Sequence, residues 1–485
     1  MAAADGRPGR PWGIAEIRRM EPDPLPMLNQ FLSSLPHRGW WLLAILAVLA
    51  TGHFSQTGLP GGSALAAIST PTPASRAALG LRLADEGAAD HPGDTASPLT
   101  AQAQVDWQAA WRGTPESRLL ACYRLLAQGR LDEALQAAEA LDHDHPTFKL
   151  AQLLHADLLT ARHARLAEFG GPASGRGQTD EEQRQLLQDE ARMRMRALQE
   201  RPPAGAIPAE FVQLPASVSH AIAVDTSRSR LYLFENGPAG LRLVEDLYVS
   251  IGKQGVDKRI EGDQRTPLGV YFITGQLEGR LLEDRFGTGA LPLNYPNAWD
   301  RTRGRTGRGI LLHGVPSATY SRPPQDSDGC VAMANEDLRR LVARLPQRQT
   351  PVIITRRLDW IEPARLSDRV PPDFLSAVAH WQRARVDGQA QAALAWYSDS
   401  GAASDPATLG SLRQGLAQAP SVIDEISVLT WHDEQAQQVM VVTFREVGAG
   451  MPRTDRILRQ YWGRPVAQPA DPTPAWRIVA EGLVR

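Results

Sequence analysis

The chain has 485 residues, 42% hydrophobic and 22% charged, with a formal net charge of -2 at pH 7. That length suits about three globular domains, and the near-neutral balance excludes a broad electrostatic affinity for nucleic acid or acidic lipid. Two cysteines in so long a chain exclude a disulfide framework.

Residues 1–51 read as an N-terminal tail with an export signal. An apolar run over 39–50 follows His37-Arg38. It has signal-peptide length and falls short of the roughly 20 residues that cross a bilayer comfortably. The polar stretch before it is longer than an ordinary leader allows, whereas a start at Met27 gives a conventional one. Cleavage near Ala50-Thr51-Gly52 or at Ala64-Leu65-Ala66, and retention as a membrane anchor, both fit. Either fate implies a periplasmic or cell-envelope location, with membrane contact only through this segment. Residues 52–104, rich in Gly, Ala, Ser, Thr and Pro, cannot bury enough apolar surface to offset their ordering entropy and read as a flexible linker.

Over 105–200 the period becomes helical. Leu119, Leu120, Cys122, Leu125 and Leu126, then Leu131, Ala134, Leu135, Ala138 and Leu141, predict two short amphipathic helices broken at Gly129-Arg130 and ending near Pro146. The pair resembles one tetratricopeptide unit, with small Cys122 and Ala134 where the helices approach. A weaker helix follows over 149–165. This α-helical hairpin region is either a groove for an envelope protein or a packing spacer. A charged helix over 179–199, acidic residues leading and basic ones trailing, suits the helix dipole and reads as a solvated connector without a site.

Residues 217–356 read as mainly β. Short apolar or β-branched runs at 221–224, 230–234, 241–250, 269–274, 309–312 and 351–355 are bounded by Gly, Pro, Asn or Asp, predicting a small sandwich or barrel. Within it, His313-Gly314 precedes Ser327-Asp328-Gly329-Cys330. A thiol with an imidazole to take up and return its proton is the minimal kit for acyl transfer. Gly329, lacking a Cβ, lets a substrate carbonyl approach the backbone, and the Gly329 and Cys330 amides are natural oxyanion donors. Ser327 serves as loop support or as a polarising contact. No Asp or Glu at diagnostic spacing completes a triad. Zinc would need three or four ligands in short-spaced pairs, and no CxxC, HxxxH or HxxE pair occurs here, so neither metal nor cofactor is expected.

These residues resemble the catalytic motif of the YkuD-type L,D-transpeptidases, a His-Gly, a variable loop, then Ser-x-Gly-Cys. Ala223-Val224-Asp225, Arg230 to Glu235, Ser250-Ile251-Gly252-Lys253, Thr266-Pro267 with Gly269, and Leu293 to Asn297 follow in that family's order. The resemblance implies a β catalytic domain acting on peptidoglycan stem peptides through a Cys330 thioester, with His313 as general base oriented by a backbone carbonyl. Ala332 stands where many members carry an Arg able to meet a substrate carboxylate, and Asp328 replaces a frequent His. This places the chain nearer a divergent branch that includes hydrolases. Crosslinking or protein attachment, hydrolysis as an amidase or peptidase, and a non-catalytic envelope scaffold are the three readings. Arg301, Arg303, Arg305 and Arg308 form a basic loop that either supplies the missing cation or is solvated.

Residues 372–485 begin with helical spacing through Phe374, Val378, Trp381 and Val386. Alternating segments follow at 422–431, 438–444, 454–462 and 476–480. Helix first, then long antiparallel strands, resembles the cone-shaped α+β fold of the nuclear transport factor type, read here as a binding or dimerising module. The overall expectation is a multidomain protein.

Overall fold

A computed structural model describes residues 111–163, 178–346, 349–398, 406–417, 420–433, 437–448, 455–464 and 475–484. The expected export segment and linker lie outside the described residues. Among the described residues no helix is long and apolar enough to cross a membrane.

Thr114 starts α1 (Pro115–Ala127), its hydroxyl accepting the Ser117 amide at 3.2 Å, with Pro115 where a missing N–H costs nothing. Gly129, at φ 73°, breaks the chain before α2 (Leu131–Asp144), and α3 (Lys149–His163) follows. Cys122 and Ala134 are both fully buried, as close helix approach requires. The chain divides into two compact bodies. One holds α1, α2 and α3 from Leu154, and the other holds 145–153 and all described residues from 178 onward.

The second body opens with α4 (Gln178–Gln199), which is not the solvated connector its charge pattern suggests. Glu190 and Arg194 are 1% and 2% exposed and paired at 2.8 Å. The Arg194 guanidinium lies 3.9 Å from the Tyr248 ring centroid, and Glu190 accepts the Ser321 hydroxyl at 2.6 Å. A solvated helix and a docked helix share this composition, because buried charges are tolerated once paired.

After a short β1 (Ile207–Pro208), the strands are β2 (His220–Asp225), β3 (Arg230–Gly237), β4 (Gly240–Gly252), β5 (Gly269–Phe272), β6 (Leu277–Glu278) and β7 (Gly289–Pro292). They continue as β8 (Leu311–His313), β9 (Gln325–Ser327), β10 (Val331–Met333) and β11 (Pro351–Thr355). The short helix α5 (Ala298–Thr302) precedes β8 and α6 (Asn335–Arg344) follows β10. In place of separate sandwich layers, the strands form one continuous ten-stranded curled sheet, ordered β5-β11-β2-β3-β4-β10-β8-β7-β6 with β9 on β4. Side chains alternate between its faces. Ile222, Val224, Leu231, Leu233, Val249, Leu312 and Val331 build one core, while Ala221, Ala223, Tyr232 and Phe234 turn to the other side.

That other side is covered by the C-terminal region. A two-residue β12 (Trp360–Ile361) pairs with β1. The helical spacing through Phe374, Val378, Trp381 and Val386 lies in α7 (Pro372–Val386), and Gly388 (φ 71°) separates it from α8 (Ala390–Leu394). Glycine in this left-handed region ends a helix cheaply. A further helix, α9 (Pro406–Ala417), precedes an antiparallel sheet of β13 (Pro420–His432), β14 (Gln438–Gly448), β15 (Asp455–Gly463) and β16 (Arg477–Val484). Phe374 and Trp381 of α7 pack with Met440, Val442, Phe444 and Trp462 on one face. Leu429, Trp431, Val439, Val441 and Tyr461, on the opposite face, share a core with Tyr232, Phe234 and Phe272 of the ten-stranded sheet.

Candidate active site

β8 and β10 are parallel neighbours in which His313 pairs with Ala332 and Leu312 with Val331. Leu312, Val331 and Met333 face the core, so the alternation puts His313 and Ala332 on the opposite face. Cys330, two residues before Ala332, joins that face and packs with Phe286, Ala290 and Leu311. Cys330 thus immediately precedes β10, while His313 ends the neighbouring parallel strand β8.

Local chemistry shapes the loops around them. Gly329 has φ 117°, and a Cβ there would lie 2.7 Å from the Arg265 carbonyl oxygen, so only glycine fits. A Cβ on Gly314 would meet Asn335 Oδ1 at 2.1 Å. Ser327 Oγ donates to the Cys330 carbonyl at 2.6 Å and accepts the Gly329 N–H at 3.2 Å. The Gly329 amide, expected as an oxyanion donor, is thus engaged within the loop. The Cys330 thiol donates to the Gly309 carbonyl at 3.5 Å. His313 Nδ1 is 2.6 Å from the Gly314 carbonyl oxygen, which sets the tautomer with Nδ1 protonated and leaves Nε2 as the basic nitrogen. The Phe286 ring stands edge-on to the imidazole at 5.3 Å.

Burial dominates the electrostatics. It lowers His313 to about 4, with Arg322 and Arg285 pushing the same way against the Gly314 hydrogen bond and Asp328. It raises the Cys330 thiol to about 11, with Asp328 adding to the rise and a Leu311 backbone hydrogen bond, Lys258 and Arg322 opposing it. At neutral pH the resting pair is neutral imidazole and neutral thiol, so a proton must move as attack begins.

The basic loop does not supply the cation at this site. Arg303 pairs with Asp433 at 3.2 Å, and Arg305 bonds Asp257 and the Lys258 carbonyl. Arg301 and Arg308 line a separate cavity whose walls include neither Cys330 nor His313. Arg322, which favours the lower pKa of both His313 and Cys330, is half-buried, with Nη1 donating to the Asp326 carbonyl at 2.9 Å. Asn335, unremarked as a site residue in sequence, accepts the Thr288 amide at 2.9 Å and donates to the Val315 carbonyl at 2.8 Å, tying the turn after His313 to α6. Neither residue carries a periodic signal, and only their place in the fold reveals them. Among the described residues no three His, Cys, Asp or Glu side chains are grouped to hold a metal.

Residues 219–354 match the family model of the YkuD L,D-transpeptidase catalytic domain. No curated protein matches the chain significantly. Among solved structures, Bd1075 from Bdellovibrio bacteriovorus is similar at 20% identity and TM-score 0.45, over 57% of this chain and 98% of that one. The helical cell shape determining protein Pgp2 from Campylobacter jejuni is similar at 17% identity and TM-score 0.45, over 54% and 91%. An L,D-transpeptidase from Mycobacterium smegmatis is similar at 13% identity and TM-score 0.19, over 28% and 58%.

Proposed function

Residues 219–354 being a YkuD L,D-transpeptidase catalytic domain, we propose that the chain is a peptidoglycan-modifying cysteine acyltransferase with Cys330 as nucleophile and His313 as general base. The observation that supports this reading is that β8, which ends at His313, pairs in parallel with β10, which begins directly after Cys330. The Cys330 thiol gives its proton to His313 Nε2 as sulfur attacks the amide carbonyl of the third residue of a donor stem peptide. The tetrahedral intermediate collapses to a thioester, and the departing amine takes the proton from the imidazolium. An acceptor amine then loses a proton to His313, attacks the thioester and releases the thiol. The Cys330 amide is the oxyanion donor, and Ser327 holds the loop that presents it. Arg322 takes the role of the absent Arg at position 332 and meets a stem-peptide carboxylate.

The surrounding regions serve delivery. The apolar run at 39–50 exports or anchors the chain to the cell envelope, and 52–104 give it reach. The tetratricopeptide-like hairpin and the cone-shaped C-terminal fold are partner-binding modules.

The test incubates the full chain with muropeptides and resolves products by mass. Crosslinked dimers that vanish in Cys330→Ala support the transferase. Shortened monomers assign water as the acceptor and the hydrolase reading. No Cys330-dependent product at all would leave a scaffold and overturn catalysis.

A further inference from the structure

Between the catalytic sheet and the C-terminal sheet lies a cavity of about 1100 Å³, lined among others by Arg301, Arg308 and Arg459. A second, of about 310 Å³, shares Phe272, Gln349 and Arg459 with it. Arg459 therefore stands where the two meet.

Its situation is unusual for a cation. Arg459 is 5% exposed, its Nε donates to Thr443 Oγ1 at 3.0 Å, and its Cζ sits 3.1 Å from the Phe272 ring centroid. Tyr461 also hydrogen-bonds to it, but among the described residues no carboxylate pairs with it. A buried guanidinium stays charged and its desolvation is costly without an anion. The other buried arginines have anions: Arg194 has Glu190, Arg230 has Asp246 and Arg385 has Glu446. Arg301 and Arg308, exposed on the same wall, make no direct ion pair among the described residues, although Arg301 acts on the buried Asp300 carboxyl. A buried polar atom without a partner points the same way. Thr350 Oγ1, on a residue 2% exposed that lines the smaller cavity, has no hydrogen-bond partner.

The remaining wall sets the ligand class. Glu278 and Glu481 also line the larger cavity. Glu278 pairs with Arg280 at 2.5 Å, while Glu481 accepts from Tyr397 at 2.7 Å and Gln460 at 2.8 Å. Their presence disfavours a multiply charged anion such as phosphate and leaves room for one carboxylate. Leu277, Pro292 and Leu483 provide apolar surface, and Gln276 and Gln349 provide amides. Apolar walls with a few convergent polar groups suit a ligand-binding cleft, and amides with one planar cation suit a peptide ending in a carboxylate.

We propose that this cleft binds a short peptide by its free carboxylate, with Arg459 as the buried anchor and Arg301 and Arg308 flanking it. The proposal stands apart from the chemistry of Cys330, whose residues do not line the cleft.

The experiment uses the full chain with Cys330 alkylated, titrated calorimetrically with N-acetyl-Ala-Gly-Ala as the free acid and as its carboxamide. The acid should saturate and the carboxamide bind at least about tenfold more weakly, the loss expected for a charge-assisted pair. Arg459→Gln should abolish saturation. Should that variant fail to fold, exposed Arg301→Gln and Arg308→Gln each weaken the acid several-fold and leave the carboxamide unchanged. Equal binding of acid and carboxamide, no saturation at millimolar concentration, or indifference of the acid to both surface variants would each overturn the proposal.

Discussion

The Ser327 hydroxyl donates to the Cys330 carbonyl at 2.6 Å while accepting the Gly329 N–H, so one side chain closes the loop that delivers the thiol. Ser327 is 1% exposed, and removing its oxygen leaves a buried amide and a buried carbonyl each short of a partner. Ser327→Ala should cost about 1–3 kcal/mol of stability and, because the loop presents the thiol, lower turnover about tenfold or more. Steady-state rates with muropeptides and thermal melts measure both. Wild-type turnover in a destabilised variant would remove Ser327 from the positioning of Cys330.

The raised Cys330 thiol and lowered His313 imidazole argue against a resting ion pair. The thiolate fraction should rise about tenfold per pH unit until the thiol pKa near 11 is approached. Iodoacetamide alkylation of Cys330, followed by peptide mass, should climb without a plateau between about pH 6 and 9. Cys122 is fully buried with its thiol pushed up to about 12 and should stay unmodified. A rate already flat from the acid side would mean a preformed thiolate–imidazolium pair.

Two buried groups shift stability with pH in opposite directions. His313, lowered from 6.5 to about 4 by burial, binds its proton more readily when unfolded. Its neutral form supports the fold above 6.5, and that support is lost as pH falls from 6.5 toward 4. Glu210, raised from 4.5 to about 7 by burial, has Oε2 without a partner. Its protonated form supports the fold below 4.5, and that support is lost as pH rises through 7. Glu210→Gln should therefore stabilise the chain above pH 7 by on the order of 2 kcal/mol and leave it nearly unchanged at pH 4. A gain of equal size at both pH values would contradict the assignment to Glu210 ionisation.

The shared core of Tyr232, Phe234, Leu429, Trp431 and Tyr461 makes the C-terminal sheet part of the catalytic domain's stability. Each such side chain contributes about 1.5–3 kcal/mol on full burial. A chain ending after residue 362 should aggregate or melt at markedly lower temperature. If the truncated chain is a soluble monomer with an unchanged melting temperature, the two sheets are energetically independent.

Local signals carried much of this protein. The short apolar or β-branched runs at 230–234 and 351–355 became β3 and β11 because such runs are read from neighbours in sequence. The helical spacing around Leu119 and Leu135 became α1 and α2 for the same reason. His313, Ser327, Gly329 and Cys330 are legible because His313-Gly314 and Ser327-Asp328-Gly329-Cys330 resemble a family motif, which is read from sequence alone. What tertiary structure decided is nonlocal. Whether Glu190 and Arg194 face water or an aromatic ring depends on what docks against α4. Whether the basic loop serves Cys330 depends on Asp257 and Asp433, 48 and 130 residues away from Arg305 and Arg303. Charge and composition determine what a side chain is able to pair with. Only the packed chain determines which partner arrives, and Arg459, Arg322 and Asn335 owe their roles to that arrival.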